Sequence, residues 1–166
     1  MGIFDADRYL ASIDLIDVDE LRAQGVRCVL FDRDNTCVPR DTGIIPPKVA
    51  AWFSRVREAG IDLCMVSNNI HADQVRASAR ELGCDAIAFA LKPLPLALTR
   101  ALRLRGLRPD EAVMVGDQVY TDVVSGTLAG VRTVLVRPQS ASDLWYTLIL
   151  RRLERLIVGD RSFEGE

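Results

Sequence analysis

A chain of 166 residues with 49% hydrophobic content can bury one substantial core and is too short for two full domains, so residues 1–166 read as a single domain. The formal charge is −2 and the 21 lysines and arginines are dispersed along the chain, which argues against a nucleic-acid partner. Cys28, Cys37, Cys64 and Cys84 are widely separated and His71 is the one histidine, a distribution that argues against a cysteine zinc site and fits a reducing compartment. There is no signal-peptide pattern and no apolar run near the roughly 20 residues that span a bilayer. The expected location is cytoplasmic, at most peripheral to a membrane.

In chain order, Val26 to Phe31 is a short β-branched-rich run that ends abruptly in Asp32-Arg33-Asp34-Asn35-Thr36, as a buried parallel strand ends at a functional loop. Pro39 to Pro47 reads as an exposed loop. Pro46-Pro47 opens a helix whose Val49, Trp52, Phe53 and Val56 share a face, and Gly60 stops it. Ile61 to Val66 is the second strand. A helix from about Ala72 carries Val75, Ala79 and Leu82 to Gly83, and Ala86 to Ala90 is the third strand. A helix from about Leu94 to Arg105 ends at Gly106, and Ala112 to Val115 is a fourth strand running into Gly116-Asp117. A further helix ends near Gly130, and Arg132 to Val136 is the fifth strand.

Strands alternating with helices of this length imply right-handed βαβ units and an α/β fold with a parallel sheet covered on both faces. Ligands bind such sheets beyond the carboxyl ends of the strands. Asp32, Ser67, Lys92 and Asp117 all fall there.

Asp32 and Asp34 flank Arg33, so an extended backbone points both carboxylates the same way, and the pair needs a cation or a proton between them. Oxygen ligands from Asp32, the carbonyl of Asp34 and Asp117 suit Mg²⁺. Phosphoryl transfer needs a nucleophile, a proton donor and positive charge over the transferring oxygens. Asp32, Asp34 and Lys92 can fill those roles, with the Ser67 hydroxyl and nearby amides holding a phosphoryl oxygen.

Asp32-x-Asp34-x-Thr36 resembles the first motif of haloacid dehalogenase-type phosphatases, and Ser67-Asn68 resembles the second. Lys92-Pro93 resembles the third, and Gly116-Asp117-x-x-x-x-Asp122 the acidic fourth. Within that superfamily the chain is most similar to subgroup IIIA and its YqeG-like family, which shares the Asp-x-Asp-Asn-Thr and Ser-Asn-Asn strings. That family typically has Leu at the position of Arg33 and often at that of Cys37. The resemblance covers about residues 26–136 and implies the strand order 5-4-1-2-3. It makes Asp32 the nucleophile, Asp34 the general acid and then base, and Ser67 and Lys92 the groups on the phosphoryl and phosphoaspartate. Thr36 and Asn68 would support phosphate binding. Asp117 would hold Mg²⁺ with Asp32 and Asp34, and Asp122 is either a further ligand or outer partner or a helix cap.

About 35 residues separate Asp32 from Ser67 and about 25 separate Ser67 from Lys92, so no cap domain fits. An open site suits a large phosphorylated substrate, or a small one enclosed by a neighbouring subunit. The YqeG-like family resembles the mitochondrial phosphatases of phosphatidylglycerophosphate, which makes a phospholipid one candidate; the others are a soluble phosphorylated metabolite and, without catalysis, a phosphate-binding scaffold. Transfer to an organic acceptor is a further alternative. Over about residues 141–158, Trp145, Leu148, Ile149, Leu153, Leu156 and Ile157 form an apolar helical face with Arg151, Arg152 and Arg155 close by. Such a face packs on the sheet, joins a homo-oligomer or lies on an anionic bilayer. His71 reads as a surface or helix-start residue.

Overall fold

The computed structural model describes residues 2–141 and 145–166. Its strands are β1 (Arg8–Leu10), β2 (Cys28–Phe31), β3 (Asp62–Val66), β4 (Asp85–Ile87), β5 (Ala112–Gly116) and β6 (Arg132–Val136). They form one six-stranded sheet in the order β1-β6-β5-β2-β3-β4, every pair parallel. The five expected strands stand in the expected order. The sixth, β1, adds an edge beside β6, with Arg8 opposite Val134 and Leu10 opposite Val136. Three residues containing an arginine carry too little apolar pattern to read as a strand. Asp7 guides that strand into place, its carboxylate accepting the Thr133 amide at 2.7 Å.

The centre of the sheet follows from the alternation of side chains along a strand. In β2, Val29 and Phe31 join one apolar cluster while Cys28 and Leu30 join the other, and all four are buried. Helices α1 (Val18–Ala23), α2 (Pro47–Glu58) and α3 (Ala72–Leu82) bring Leu21, Trp52, Phe53 and Val75 to the first face. On the second face α4 (Leu96–Arg105) contributes Leu98, Ala101 and Leu102, and α5 (Val124–Ala129) packs against α4. Trp52 fills the first core with its ring edge-on to Phe53 at 5.0 Å and donates its indole N–H to the Ile16 carbonyl at 2.7 Å. That bond satisfies the one polar atom of the largest buried side chain.

Strand β4 ends earlier than the apolar run suggests. Phe89 and Leu91 have φ of 50° and 58°, a left-handed backbone that breaks any ladder. The last helix is α6 (Trp145–Val158). Among its described side chains Thr147 and Glu154 are buried, while Leu148, Ile149, Leu153 and Leu156 are exposed. Much of its apolar face therefore points away from the sheet, because the inward side is held by polar bonds described below. The start of that helix at residues 142–144, and the side chain of Trp145 in the expected apolar face, lie outside the described residues. Among the described residues no cap is inserted between these elements, and no helix is long and apolar enough to cross a membrane.

Replacing Trp52 with alanine is expected to lower stability by about 3–5 kcal/mol in urea unfolding. Trp52→Phe should cost about 1–3 kcal/mol, mainly through the unpaired Ile16 carbonyl.

Candidate active site

Three strand ends and one loop converge at the carboxyl edge of the sheet. The Asp32 amide donates to the Val115 carbonyl at 2.9 Å, which extends the β2–β5 pairing one residue and sets Asp32 beside the end of β5. The chain then turns tightly. The amides of Cys37 and Val38 both donate to the Arg33 carbonyl, at 3.1 and 3.0 Å, and Asn35 adopts a φ of 60°, a conformation asparagine tolerates well. Ser67 likewise extends β3, its amide donating to the Ile87 carbonyl at 2.9 Å.

Lys92 lies at the centre. Its Nζ donates to Asp32 Oδ1 at 2.8 Å and to Asp122 Oδ1 at 2.6 Å, and its side chain is 1% exposed. Asn68 fixes the backbone behind it, its amide oxygen accepting the Lys92 N–H at 2.8 Å and its amide nitrogen donating to the Lys92 carbonyl at 2.9 Å. Asp32, Asp117 and Asp122 are buried together, with one oxygen from each lying within 4.8 Å of the others. Gly116 makes room for this arrangement, since a Cβ there would collide with the Asp122 carboxyl. Asp122 itself comes from a single π-helical turn, Val119–Val123, and caps it by accepting the Gln118 amide at 3.1 Å.

Burial raises Asp32 to about 7, with Lys92 opposing and Asp122 and Asp34 reinforcing the shift. Burial also lifts Asp117 well above the usual carboxylate range; Asp32 and Asp122 add to that and Arg151 offsets part of it. Lys92 is pushed down by burial, but Asp122 and Asp32 outweigh this and hold its ammonium above the usual lysine value. Among the described residues the carboxylates of Asp32, Asp117 and Asp122 are buried against the cations of Lys92 and Arg151. Such an all-oxygen set fits a hard divalent cation.

The other candidate residues fall into distinct places. Asp34 lines the same cavity as Asp32, and its carboxylate is paired with Arg33 at 2.5 Å and Arg40 at 3.8 Å and accepts from Asn69 at 3.3 Å. Arg33, where the similar family carries leucine, also donates to Ser78 of α3 at 2.9 Å and so ties the loop to that helix. The Ser67 oxygen accepts the Asn69 amide at 3.1 Å, which leaves its O–H to donate into the cavity it lines. Thr36 is fully buried, with its hydroxyl on Asp117 at 3.3 Å. The Asn68 side chain, expected at the phosphate, is engaged with the Lys92 backbone instead. His71 sits exposed at the start of α3, at the edge of the cavity.

Arg151 and Glu154 of α6 were not among the expected site residues. Arg151 donates to the Asp117 carbonyl at 3.0 Å and to its carboxylate, and Glu154 accepts the amides of Val119 and Tyr120 at 2.7 and 3.3 Å. An arginine and a glutamate three apart on a helix read as a solvated pair, so no sequence signal distinguishes them.

Residues 5–130 match the family described as haloacid dehalogenase-like hydrolase. The probable phosphatase YqeG of Bacillus subtilis is 35% identical over 162 residues, 98% of this chain and 94% of that protein. Phosphatidylglycerophosphate phosphatase 1, chloroplastic/mitochondrial, of Arabidopsis thaliana is 29% identical over 149 residues; the match covers 85% of this chain but 42% of that protein. Among solved structures, the cobalt-bound deoxy-D-mannose-octulosonate 8-phosphate phosphatase of Haemophilus influenzae is similar with a TM-score of 0.55, 13% identity and coverage of 81% of this chain and 88% of that one. At that identity the likeness concerns the fold alone.

The raised value of Asp32 yields a pH prediction. Its folded value is about 7 against 3.8 for the ordinary group, so the stability it contributes is complete below the lower value and is lost as pH rises through the higher. A divalent cation held by these carboxylates would take the place of those protons. Added Mg²⁺ should therefore raise the melting temperature more at about pH 8 than at about pH 5; equal increments would mean that the ion binds elsewhere. Gly116→Ala, which displaces Asp122, should weaken this cation stabilisation at least about tenfold in Mg²⁺ titrations.

Proposed function

The chain belongs to the haloacid dehalogenase-like hydrolase family and is a phosphatase, and from that premise we propose that it hydrolyses phosphomonoesters through a phosphoaspartyl intermediate on Asp32, with Mg²⁺ as cofactor. The observation that carries this reading is the Lys92 ammonium bridging Asp32 and Asp122 at 2.8 and 2.6 Å on the floor of an open cavity of about 760 Å³.

In the first step a carboxylate oxygen of Asp32 attacks phosphorus, and the bond from phosphorus to the ester oxygen breaks. Asp34 gives its proton to the departing oxygen. In the second step Asp34 takes a proton from water as that water attacks the phosphoaspartate. The bond to Asp32 breaks and inorganic phosphate leaves. Lys92 and the Ser67 hydroxyl face the charge that spreads over the phosphoryl oxygens. Asp32, Asp117, Asp122 and the Asp34 carbonyl would hold Mg²⁺, which when bound supplies Lewis-acid stabilisation of that charge. Arg33, Arg40 and Asn69 hold the Asp34 carboxylate beside Asp32, which is a positioning role.

For the substrate we infer a lipid phosphomonoester of the phosphatidylglycerophosphate kind. The activity for which the Arabidopsis relative is named supports this, as does a cavity that no cap encloses among the described residues. The outward Leu148, Ile149, Leu153 and Leu156 of α6 also suit peripheral contact with a membrane or another subunit, and four free thiols suit the cytoplasmic side.

Phosphate release from p-nitrophenyl phosphate, soluble sugar and nucleotide phosphates, and phosphatidylglycerophosphate in detergent tests both parts. Asp32→Asn or chelation of Mg²⁺ should reduce turnover at least about a thousandfold. Asp34→Asn should cost about 10²–10⁴-fold on the lipid and much less on p-nitrophenyl phosphate, whose leaving group needs little protonation. Turnover that survives Asp32→Asn would sink the mechanism, and a preference for soluble phosphates would sink the lipid assignment.

A further inference from the structure

Helix α6 meets the body of the protein through polar bonds where an apolar contact would be the default. An amphipathic helix on a globular domain ordinarily turns its apolar stripe to the core. Here Thr147 and Glu154 are buried while Leu148, Ile149, Leu153 and Leu156 are exposed. Val158, at the end of the helix, packs against the small cluster that contains Val119, Val123 and Phe163. A charge withdrawn from water is retained only when specific partners hold it. The Arg151 side chain is 16% exposed and that of Glu154 8%, and the partners of both lie at the acidic centre.

These bonds address two of the three clustered carboxylates. Arg151 donates to the Asp117 carbonyl at 3.0 Å and to its carboxylate Oδ2, while the Thr36 hydroxyl meets Oδ1 at 3.3 Å. The carboxyl group is thus gripped at both oxygens and at its backbone, which fixes its rotation. A carboxylate offers about four lone-pair sites, so a gripped one still has sites for a cation. Glu154 accepts the amides of Val119 and Tyr120 at 2.7 and 3.3 Å, the leading donors of the π-helical turn, which a helix leaves without internal partners. That turn carries Asp122. One helix therefore holds Asp117 through its side chain and carbonyl and Asp122 through the backbone of its turn, with Arg151 and Glu154 3.8 Å apart. The same helix lines the cavity with Thr147 and Leu150.

We propose that α6 is a clamp on the cation site, with Arg151 and Glu154 as positioning residues that preset Asp117 and the Asp122 turn for Mg²⁺, so that docking of α6 and binding of the ion strengthen each other. The proposal deepens the metal-dependent phosphatase reading and rests on it for the ion and its site. Arg151 acts through Asp117. Partners of this kind behind a metal-binding carboxylate contribute about ten- to a hundredfold to metal affinity. The rival role for a cation in this place is a stand-in for the metal. A stand-in needs the ligand oxygens only, whereas Arg151 also takes the Asp117 carbonyl and so braces the residue as a whole.

The test is calorimetric Mg²⁺ titration of the full chain, with hydrogen exchange of the α6 amides and p-nitrophenyl phosphate turnover measured alongside. Arg151→Met should weaken Mg²⁺ binding about ten- to a hundredfold, and Glu154→Met at least about threefold. Arg151→Lys keeps the charge but lacks the planar fork, and should weaken it at least about threefold; it decides the matter if Arg151→Met does not fold. Arg152→Met, the same change at the exposed neighbouring residue, should stay within about twofold of wild type. At saturating Mg²⁺ the kcat of Arg151→Met should return to within about threefold of wild type, since the clamp sets a ligand and not the chemistry. By reciprocity Mg²⁺ should slow exchange in wild-type α6 by about the factor that Arg151→Met loses in affinity. Tighter Mg²⁺ binding in Arg151→Met would make Arg151 a stand-in and overturn the proposal. So would an equal loss in Arg152→Met, a kcat that stays low at saturating Mg²⁺, or α6 exchange indifferent to the ion. Wild type that binds no Mg²⁺ overturns the clamp and the metal reading together, whereas wild type and Arg151→Met that bind it equally, with Mg²⁺-dependent turnover in both, overturn the clamp and leave that reading intact.

Discussion

The burial of one ammonium group organises this site. Lys92 is almost fully enclosed, and a charge taken out of water persists only when paired and hydrogen-bonded. Asp32 and Asp122 supply the pairing, and each is set in turn by backbone. Asp32 is drawn to the end of β5 by the Val115 carbonyl, and Asp122 reaches Lys92 because Gly116 has no side chain in the way. The third carboxylate, Asp117, is supported by Thr36 below and Arg151 from α6. The parallel sheet makes the convergence possible, since β2, β3 and β5 all end at one edge.

The balance of charge around Lys92 connects fold to chemistry. Burial, reinforced by the neighbouring carboxylates and opposed by Lys92 and Arg151, raises Asp32 to about 7 and Asp117 well above its ordinary range. Sites that hold carboxylates in this condition are suited to exchanging protons for a metal ion. Helix α6 takes part in that balance. It holds to the body through Arg151 on Asp117 and Glu154 on two amides of the π-helical turn, so a segment beyond residues 5–130, the extent of the family match, reaches back into the acidic centre. Its polar inner side also explains why its leucines face outward.

Much of this was legible in the sequence. Continuous apolar runs ending in Asp32, Ser67 and Asp117 located three strands and the edge where they meet, because parallel strands buried on both faces leave that signature. What stayed hidden depends on partners distant in the chain. Strand β1 is defined by pairing with β6, more than a hundred residues away. The protein partners of Thr36 and Asn68 stayed hidden because a hydroxyl and an amide beside a phosphate motif look alike whether they face the ligand or brace a neighbouring residue. Arg151 looked like one more arginine on a charged helix. Phe89 was read into the third strand, since an apolar residue near a sheet edge suggests burial until φ is known.

The claim that Asp32 carries the phosphoryl group can be examined most directly by acid-quenching the Mg²⁺-loaded enzyme during turnover of excess substrate and locating phosphate in its peptides by mass spectrometry. The account predicts one phosphoryl group, labile to base, on the peptide containing Asp32, and none in Asp32→Asn. Phosphate on another residue, or turnover with no modified peptide at any quench time, would contradict it.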